Sequence, residues 1–324
     1  MKIKKIRKGM KRYVEAVKAK GRKASGCLLG PIKRSDCEIW LLKEGKKIFD
    51  KFFYVPIPSV IIDGERLLYK DKDLTELDFV LPRIPRSYVR FGYKLLSILK
   101  DKVYLPIEPE SVLITHNKFL TLLALKEVGL PVPQTFLTAS RKAMQALLDD
   151  MTFPVVMKVL YGSLGKGVMF ADSKEAAVSV MDTLERFKQP IFLEEYVPNP
   201  GEDIRIFVLG NEVLGAMKRK AEKDERRANI GIGGTGEPIE IDWKCKDLAV
   251  KAAAALGMDV CGIDMIRGPS GPVIIEGNVN VHFEGLTKTL RVNVARAIVE
   301  YVNDELSMLG FTRLEKLMTW LKRK

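Results

Sequence analysis

Val260-Cys261-Gly262-Ile263-Asp264-Met265-Ile266 and, a few residues on, Pro272-Val273-Ile274-Ile275-Glu276-Gly277-Asn278 form the stretch from which the rest of the chain can be read. Both are apolar runs of strand length, interrupted by oxygen-bearing side chains: Asp264 in the first, Glu276 and Asn278 in the second. Three hard oxygen donors on adjacent strands describe a magnesium site. Mg²⁺ prefers such donors and keeps coordination places open for phosphate oxygens, so the pattern points to a nucleotide-phosphate site. The other reading is the solvated rim of a hairpin, and the segments upstream decide between the two.

The chain has 324 residues, room for two or three domains with genuine cores. Hydrophobic residues make up 47% and charged residues 29%, the balance of a globular protein in water. No run approaches the eighteen apolar residues of a spanning helix, and charges occupy the N-terminus where a signal peptide needs a hydrophobic stretch. The expectation is a cytoplasmic protein with no membrane partner. Cys27, Cys37, Cys245 and Cys261 form no CxxC pair, and His116 and His282 lie near none of them. Neither a zinc site nor a disulfide framework is supported.

The net charge is +13, and the first 23 residues hold eleven Lys or Arg against one acid, Glu15. Such an excess suits anionic partners: nucleic acid, an acidic membrane surface or a polyanionic substrate. Generic solvation and solubility are the more economical explanation. Residues 6–20 read as a basic helix. Strands are expected at Cys27–Leu29, Glu38–Leu42, Lys51–Tyr54, Val60–Ile62, Asp78–Leu81 and Val103–Leu105, with a helix at Tyr88–Lys100 and a boundary near residue 110 marked by Pro106 and Pro109. Further on, helices are expected at Asn117–Glu127, from Ser140 to Asp149, at Ser173–Phe187, at Trp243–Leu256 and beyond Val292. Strands are expected at Pro154–Val159, Val168–Ala171, Ile191–Tyr196, Arg205–Leu209 and Glu212–Lys218.

Between two of these strands lies Tyr161-Gly162-Ser163-Leu164-Gly165-Lys166-Gly167. A glycine hairpin brings backbone N–H groups close to phosphates because no side chains stand in the way, although most such hairpins are only turns. Lys158, inside the apolar run 155–160, needs a counter-charge, and a nucleotide phosphate would supply one. An edge lysine reaching solvent is the alternative. Leu193-Glu194-Glu195-Tyr196-Val197 runs into a proline-bearing linker, where free backbone groups can meet an adenine edge, and Asp203 beyond it can accept from ribose hydroxyls. Arg205, Lys218-Arg219-Lys220 and Arg226-Arg227-Ala228-Asn229 then gather positive charge suited to a transferring phosphoryl group.

In order and spacing, Lys118, Pro154-Val155-Val156-Met157-Lys158, the glycine hairpin, Glu195-Tyr196, Asp203-Ile204-Arg205, Arg227-Ala228-Asn229, Asp264 and Glu276-Gly277-Asn278 resemble the ATP-grasp ligases of the RimK type. That group adds glutamate to a ribosomal protein, to methanopterin-type or deazaflavin cofactors, and to amino-group carrier proteins. The resemblance covers about residues 110–300; over 1–109 only Asp78-Phe79-Val80-Leu81-Pro82-Arg83-Ile84 shares in it. It implies an α+β ATP-grasp fold, two α+β lobes clamping ATP, preceded by a small α/β domain. The expected layout is a basic extension (1–25), an N-terminal α/β domain (26–110), a small lobe (111–197), a large lobe with the metal site (198–310) and a basic tail (311–324).

By the same resemblance Lys118, Lys158, Gly162, Gly165 and Gly167 bind the nucleotide, Glu195, Tyr196 and Val197 form the adenine hinge, and Asp203 takes the ribose. Arg205, Arg227 and Asn229 act on the phosphates and an acyl phosphate, while Asp264, Glu276 and Asn278 hold two Mg²⁺ or Mn²⁺ ions. The implied reaction is ATP-dependent joining of L-glutamate to an acidic carboxylate acceptor. A ligase for another amino acid is the near alternative. A nucleic-acid-binding protein with a vestigial or regulatory ATP site is the distant one, disfavoured because Tyr13 is the only aromatic in the basic head. A homo-oligomer stays open. The chain departs from the family at Gly277, a glycine between two ligands that should loosen the strand by up to ~1 kcal/mol, at His116-Asn117 before Lys118, and at Asn280-Val281-His282, where His282 is a substrate contact or loop surface.

Overall fold

Ser25-Gly26-Cys27-Leu28-Leu29-Gly30 (β1) is buried along its whole length, as the central strand of a parallel sheet must be. The computed structural model describes residues 24–162, 167–199, 201–222 and 235–321, with side chains as far as residue 309. The expected basic helix over 6–20 lies outside these residues. After β1 come helix α1 (Asp36–Ile48), β2 (Lys51–Pro56), a meander of β3 (Ile61–Asp63), β4 (Arg66–Tyr69) and β5 (Lys72–Asp73), and β6 (Phe79–Pro82). β2 and β6 flank β1, both parallel to it.

The expected strand at Glu38–Leu42 is instead part of α1. Glu38 Oε2 accepts from the Ser35 N–H at 2.7 Å, one arm of a capping box, and Cys37, Leu41 and Gly45 are buried at four-residue spacing. Val103–Leu105 shrinks to one bridge, Tyr104 to Phe79, because only two backbone bonds, Val80 N–H to Tyr104 O and Tyr104 N–H to Asp78 O, form there.

By compactness the chain divides into two units. One takes the residues up to Pro82, Ile98–Leu105 and the chain from Ala295; the other takes Arg83–Ser97 and Pro106–Val294. Into the second fall most of α2 (Val89–Leu99), then α3 (Pro109–Thr115), α4 (Lys118–Glu127), β7 (Thr135–Thr138), α5 (Arg141–Leu147), β8 (Val155–Lys158), β9 (Val168–Ala171), α6 (Lys174–Arg186) and β10 (Ile191–Glu195). They are followed by β11 (Glu202–Leu209), β12 (Glu212–Lys220), β13 (Thr235–Pro238), α7 (Trp243–Ala255), β14 (Val260–Gly268), β15 (Gly271–Asn278) and α8 (Glu284–Leu290), and α9 (Val294–Leu321) closes the described chain. No helix among the described residues is long and apolar enough to cross a membrane.

Two antiparallel sheets organise this second unit. The smaller has the order β7-β10-β8-β9 and the larger β13-β12-β11-β14-β15. In the smaller, strand alternation sends Val155, Met157, Ile191 and Leu193 into a core with Met144, Met181 and Leu184 from α5 and α6. The residues between them, Val156, Lys158, Phe192 and Glu194, take the other face, where Phe192 packs with Leu122 and Leu160. In the larger sheet α7 packs on β11, β12, β14 and β15. In each sheet the charged side chains gather on the face opposite these helices.

Candidate active site

The β14–β15 hairpin pairs Gly268 with Gly271, Arg267 with Pro272, Ile266 with Val273 and Met265 with Ile274. Continued unbroken, that register would set Asp264 opposite Ile275 and turn Glu276 to the opposite face. A bulge between Asp264 and Met265 shifts the register, so that Asp264 faces Glu276 and Gly262 faces Asn278. Across β11 the same row continues, with Arg205 opposite Asp264 and Asp203 opposite Arg219. Alternation therefore gathers Asp203, Arg205, Arg219, Asp264, Glu276 and Asn278 on one face.

These side chains bond one another. Arg205 donates to Asp264 through Nε (2.7 Å, Oδ1) and Nη2 (2.6 Å, Oδ2). Arg219 grips Asp203 through Nε (2.5 Å) and Nη2 (2.7 Å), and the same Nη2 reaches Asp264 Oδ2 at 2.9 Å. Asn278 Nδ2 lies 3.4 Å from that oxygen. Burial pushes the Asp264 carboxyl up, but the Arg205 and Arg219 guanidinia outweigh it and hold the group well below the usual carboxylate range. Asp203 is raised: its burial outweighs Arg219, and the neighbouring Asp264 charge adds to the rise.

Lys118 opens α4. Asn117 caps that helix, its Oδ1 accepting from the N–H groups of Phe119 (3.1 Å) and Leu120 (3.2 Å). The Lys118 backbone N–H bonds Leu160 O at 3.3 Å, beside the small sheet, while its Nζ donates to Glu276 Oε1 at 3.1 Å on the large one. Burial works to lower its pKa, yet Glu276 first, then Glu194 and Asp264, raise it above the ordinary lysine value. One ammonium thus feels carboxylates from both sheets. On the small sheet Lys158 donates to Glu194 Oε2, and Glu194 Oε1 is buried without a hydrogen-bond partner among the described residues.

Glu195 is exposed at the end of β10, its N–H bonded to Gln134 O. Tyr196 follows with its ring 6.1 Å from Phe170, and Val197 O accepts from Asn199 Nδ2 at 3.0 Å. Gly167 closes the glycine hairpin: its carbonyl accepts from Val159 N–H, and its φ of 80° is a value side chains rarely adopt. Gly162 stands in the loop before it. Gly165, Arg227 and Asn229 lie outside the described residues.

Three expectations change. Lys218 and Lys220 do not join the charged face; alternation along β12 turns them away, and both pair with Glu237, at 2.8 and 3.2 Å, leaving Arg219 between them to point inward. The counter-charge of Lys158 is a protein carboxylate, Glu194. Gly277, expected as a loosening of its strand, takes a packing role: it is buried opposite Ile263, and a Cβ there would come within 2.5 Å of Leu256 Cδ1. It lets the end of α7 approach the sheet. Of the groups that sequence reasoning did not single out, Glu194 carried a signal in its period-two relation to Phe192, which pairs with Lys158. Arg219 carried the same signal, masked by its lysine neighbours.

The oxygens of Asp264, Glu276 and Asn278 fit a hard divalent ion in chemistry and in register. Among the described residues no three His, Cys, Asp or Glu side chains are grouped to hold a metal, so the set depends on Asn278. His116 is turned elsewhere: its Nδ1 bonds Val112 O at 2.9 Å, and burial lowers its pKa. His282 is exposed.

A family model for the RimK-like ATP-grasp domain matches residues 115–302, which contain every residue of this site. The chain belongs to the RimK-like ATP-grasp family. A protein of Thioalkalivibrio sulfidiphilus (strain HL-EbGR7) named "Probable alpha-L-glutamate ligase" is 38% identical over 240 residues, 72% of this chain and 79% of that one. One of the same name from Histophilus somni (strain 2336) is 33% identical over 235 residues, 72% and 78% of the two chains. The RimK-domain ATP-grasp protein of Sphaerobacter thermophilus DSM 20745 superposes with a TM-score of 0.67 at 18% identity, covering 86% of this chain and 99% of that one. The ATP-grasp ligase PsnB, solved with a phosphomimetic variant of its minimal precursor, Mg and ADP, gives 0.68 at 17%, covering 89% and 100%. At these identities the likeness is one of fold. As a RimK-like ATP-grasp ligase, the protein uses ATP to form carbon–nitrogen bonds.

Proposed function

We propose that this ligase joins the α-amine of L-glutamate to an acidic acceptor, a cofactor tail or a protein C-terminus, through an acyl phosphate. The observation that carries the reading is the charged row Arg219–Asp203, Arg205–Asp264, Glu276–Lys118, with Lys158–Glu194 on the neighbouring sheet. Four cations balance four carboxylates there, so a triphosphate adds negative charge that further cations must meet. Asp264, Glu276 and Asn278 would hold two Mg²⁺ or Mn²⁺ ions, which when bound neutralise charge on the transferring phosphoryl group.

In this scheme Lys118, Lys158 and the backbone of Gly162, Gly165 and Gly167 bind the phosphates. Glu195, Tyr196 and Val197 offer the adenine hinge, with the free Oε1 of buried Glu194 as a further acceptor for an amino donor. Asp203, held by Arg219, faces the ribose. The bond from the γ-phosphorus to the bridging oxygen breaks, ADP leaves, and the acceptor carboxylate oxygen takes the phosphoryl group. The glutamate amine then attacks the acyl carbon, phosphate leaves with the carboxylate oxygen, and the amine gives up its proton as the amide forms. Arg205, Arg227 and Asn229 stabilise the acyl phosphate; no protein nucleophile takes part, and positioning supplies most of the acceleration.

The names of the relatives support glutamate as the added amino acid, and the net charge of +13 suits an acidic acceptor. The sheets β7–β10 and β11–β15 would be the lobes that clamp ATP, within the layout 26–110, 111–197 and 198–310, and the cytoplasm, where ATP is abundant, is the compartment. The test is ADP release with each amino acid against a panel of acidic cofactors and cell extract, followed by mass spectrometry. Increments matching one or more glutamates are expected. An increment of another amino acid overturns the donor, and no increment with any donor overturns the reaction.

A further inference from the structure

Asp264 is asked to serve two kinds of cation. Its Oδ1 accepts from Arg205 Nε, and its Oδ2 accepts from Arg205 Nη2, Arg219 Nη2 and Asn278 Nδ2. A carboxylate offers about two lone-pair directions on each oxygen; Oδ2 already carries three donors, while Oδ1 carries Arg205 alone. A divalent ion that takes Oδ2, or both oxygens, therefore competes with a guanidinium already bonded there.

The two guanidinia are not equal competitors. Arg219 has a side chain only 3% exposed and bonds two carboxylates at once; withdrawing it would strand Asp203, itself buried. Arg205 is 16% exposed and, among the described residues, is bonded to Asp264 alone. Moving a guanidinium toward solvent costs least where solvent is already near and no second carboxylate is abandoned. Resting on the metal assignment above, we propose that Arg205 is an exchangeable counter-ion of Asp264, displaced when a divalent ion binds, whereas Arg219 is a fixed positioning residue holding Asp264 and Asp203 together. The exchange brings metal and phosphates in while freeing the planar donor fork of Arg205 beside them. The same guanidinium then serves first the carboxylate and afterwards the phosphoryl group.

The two arginines can be separated by metal binding without turnover. Mn²⁺ is titrated into the full chain and followed by the electron paramagnetic resonance of free Mn²⁺, with circular dichroism to verify folding. Arg205→Gln is expected to bind Mn²⁺ on the order of tenfold more tightly than the parent, since removing a unit charge at contact distance is worth at least that after screening. Arg219→Gln is expected to weaken binding, because Asp264 loses its anchor. Arg219→Lys, which keeps the charge but not the two-carboxylate grip, is used if the glutamine variant does not fold, and weakening is expected there too. Unchanged or weaker binding by Arg205→Gln overturns the exchange. Tighter binding by the Arg219 variant overturns its positioning role. Asp264→Asn distinguishes the layers: if it leaves Mn²⁺ binding intact, the metal assignment is wrong and the exchange falls with it; if it abolishes binding, the Arg205 result judges the exchange alone.

Discussion

The two sheets of the second unit solve one problem in different ways. Each covers one face with helices and places charge on the other. Among the described residues the small sheet holds a single pair, Lys158 with Glu194, on the face that carries Phe192, Leu122 and Leu160. The large sheet holds a network in which Arg219 joins Asp203 and Asp264, and Arg205 and Asn278 add to Asp264. A lone buried pair fixes where one lysine points. A network has more than one cation on a carboxylate, so one can leave without exposing a bare charge.

The largest effect should come from Glu276→Ala. Its side chain is 26% exposed and touches Lys118, so the fold should persist while ADP release falls by on the order of 100-fold or more, the several kcal/mol a Lewis-acid site supplies. Release near the parent rate would remove Glu276 from the metal set. Asp264→Ala should behave differently from Glu276→Ala, since it strands the Arg205 guanidinium and leaves Arg219 with Asp203 alone. Urea unfolding is expected to show a loss of about 3–5 kcal/mol, partly recovered by adding Arg205→Met. A loss no greater than at an exposed site would mean that the network contributes nothing.

On the small sheet the expected losses are smaller. Lys158→Met leaves Glu194 buried without its cation and should cost about 1.5–3 kcal/mol. The double variant with Glu194→Leu should regain most of that loss, because an apolar pair fits the Phe192 face; failure to regain it would show that the pair is more than a local contact. Gly277→Ala comes last. Its added methyl meets the end of a leucine side chain rather than backbone, so a loss of about 1 kcal/mol is expected by thermal melting, with nucleotide binding retained. A gain in stability would restore the view of Gly277 as a loose joint.

Residue chemistry was the legible part. Asp264, Glu276 and Asn278 announce hard oxygen ligands, Lys158 announces a missing counter-charge, and most strands and helices of the second unit follow from their apolar periods and from the caps Asn117, Ser140 and Ser173. In the first unit α1 hides behind the strand-like run Glu38–Leu42 and shows itself only in the four-residue spacing of Cys37, Leu41 and Gly45 behind a capping box at Ser35. Lys218, Arg219 and Lys220 likewise read as one basic cluster, although an alternating strand must divide them.

By itself the sequence determined which chemical groups the site possesses, the order in which they arrive, and the family to which they belong. Only the tertiary structure decided who meets whom. The bulge beside Asp264 puts Glu276 on its face, and a one-residue register is invisible to a local pattern because side chains repeat every two residues along a strand. The choice of Glu194 for Lys158, and of Arg219 for both Asp203 and Asp264, likewise depends on pairings between distant segments. Burial then makes those pairings decisive, since an ion withdrawn from water must find its partner within the fold.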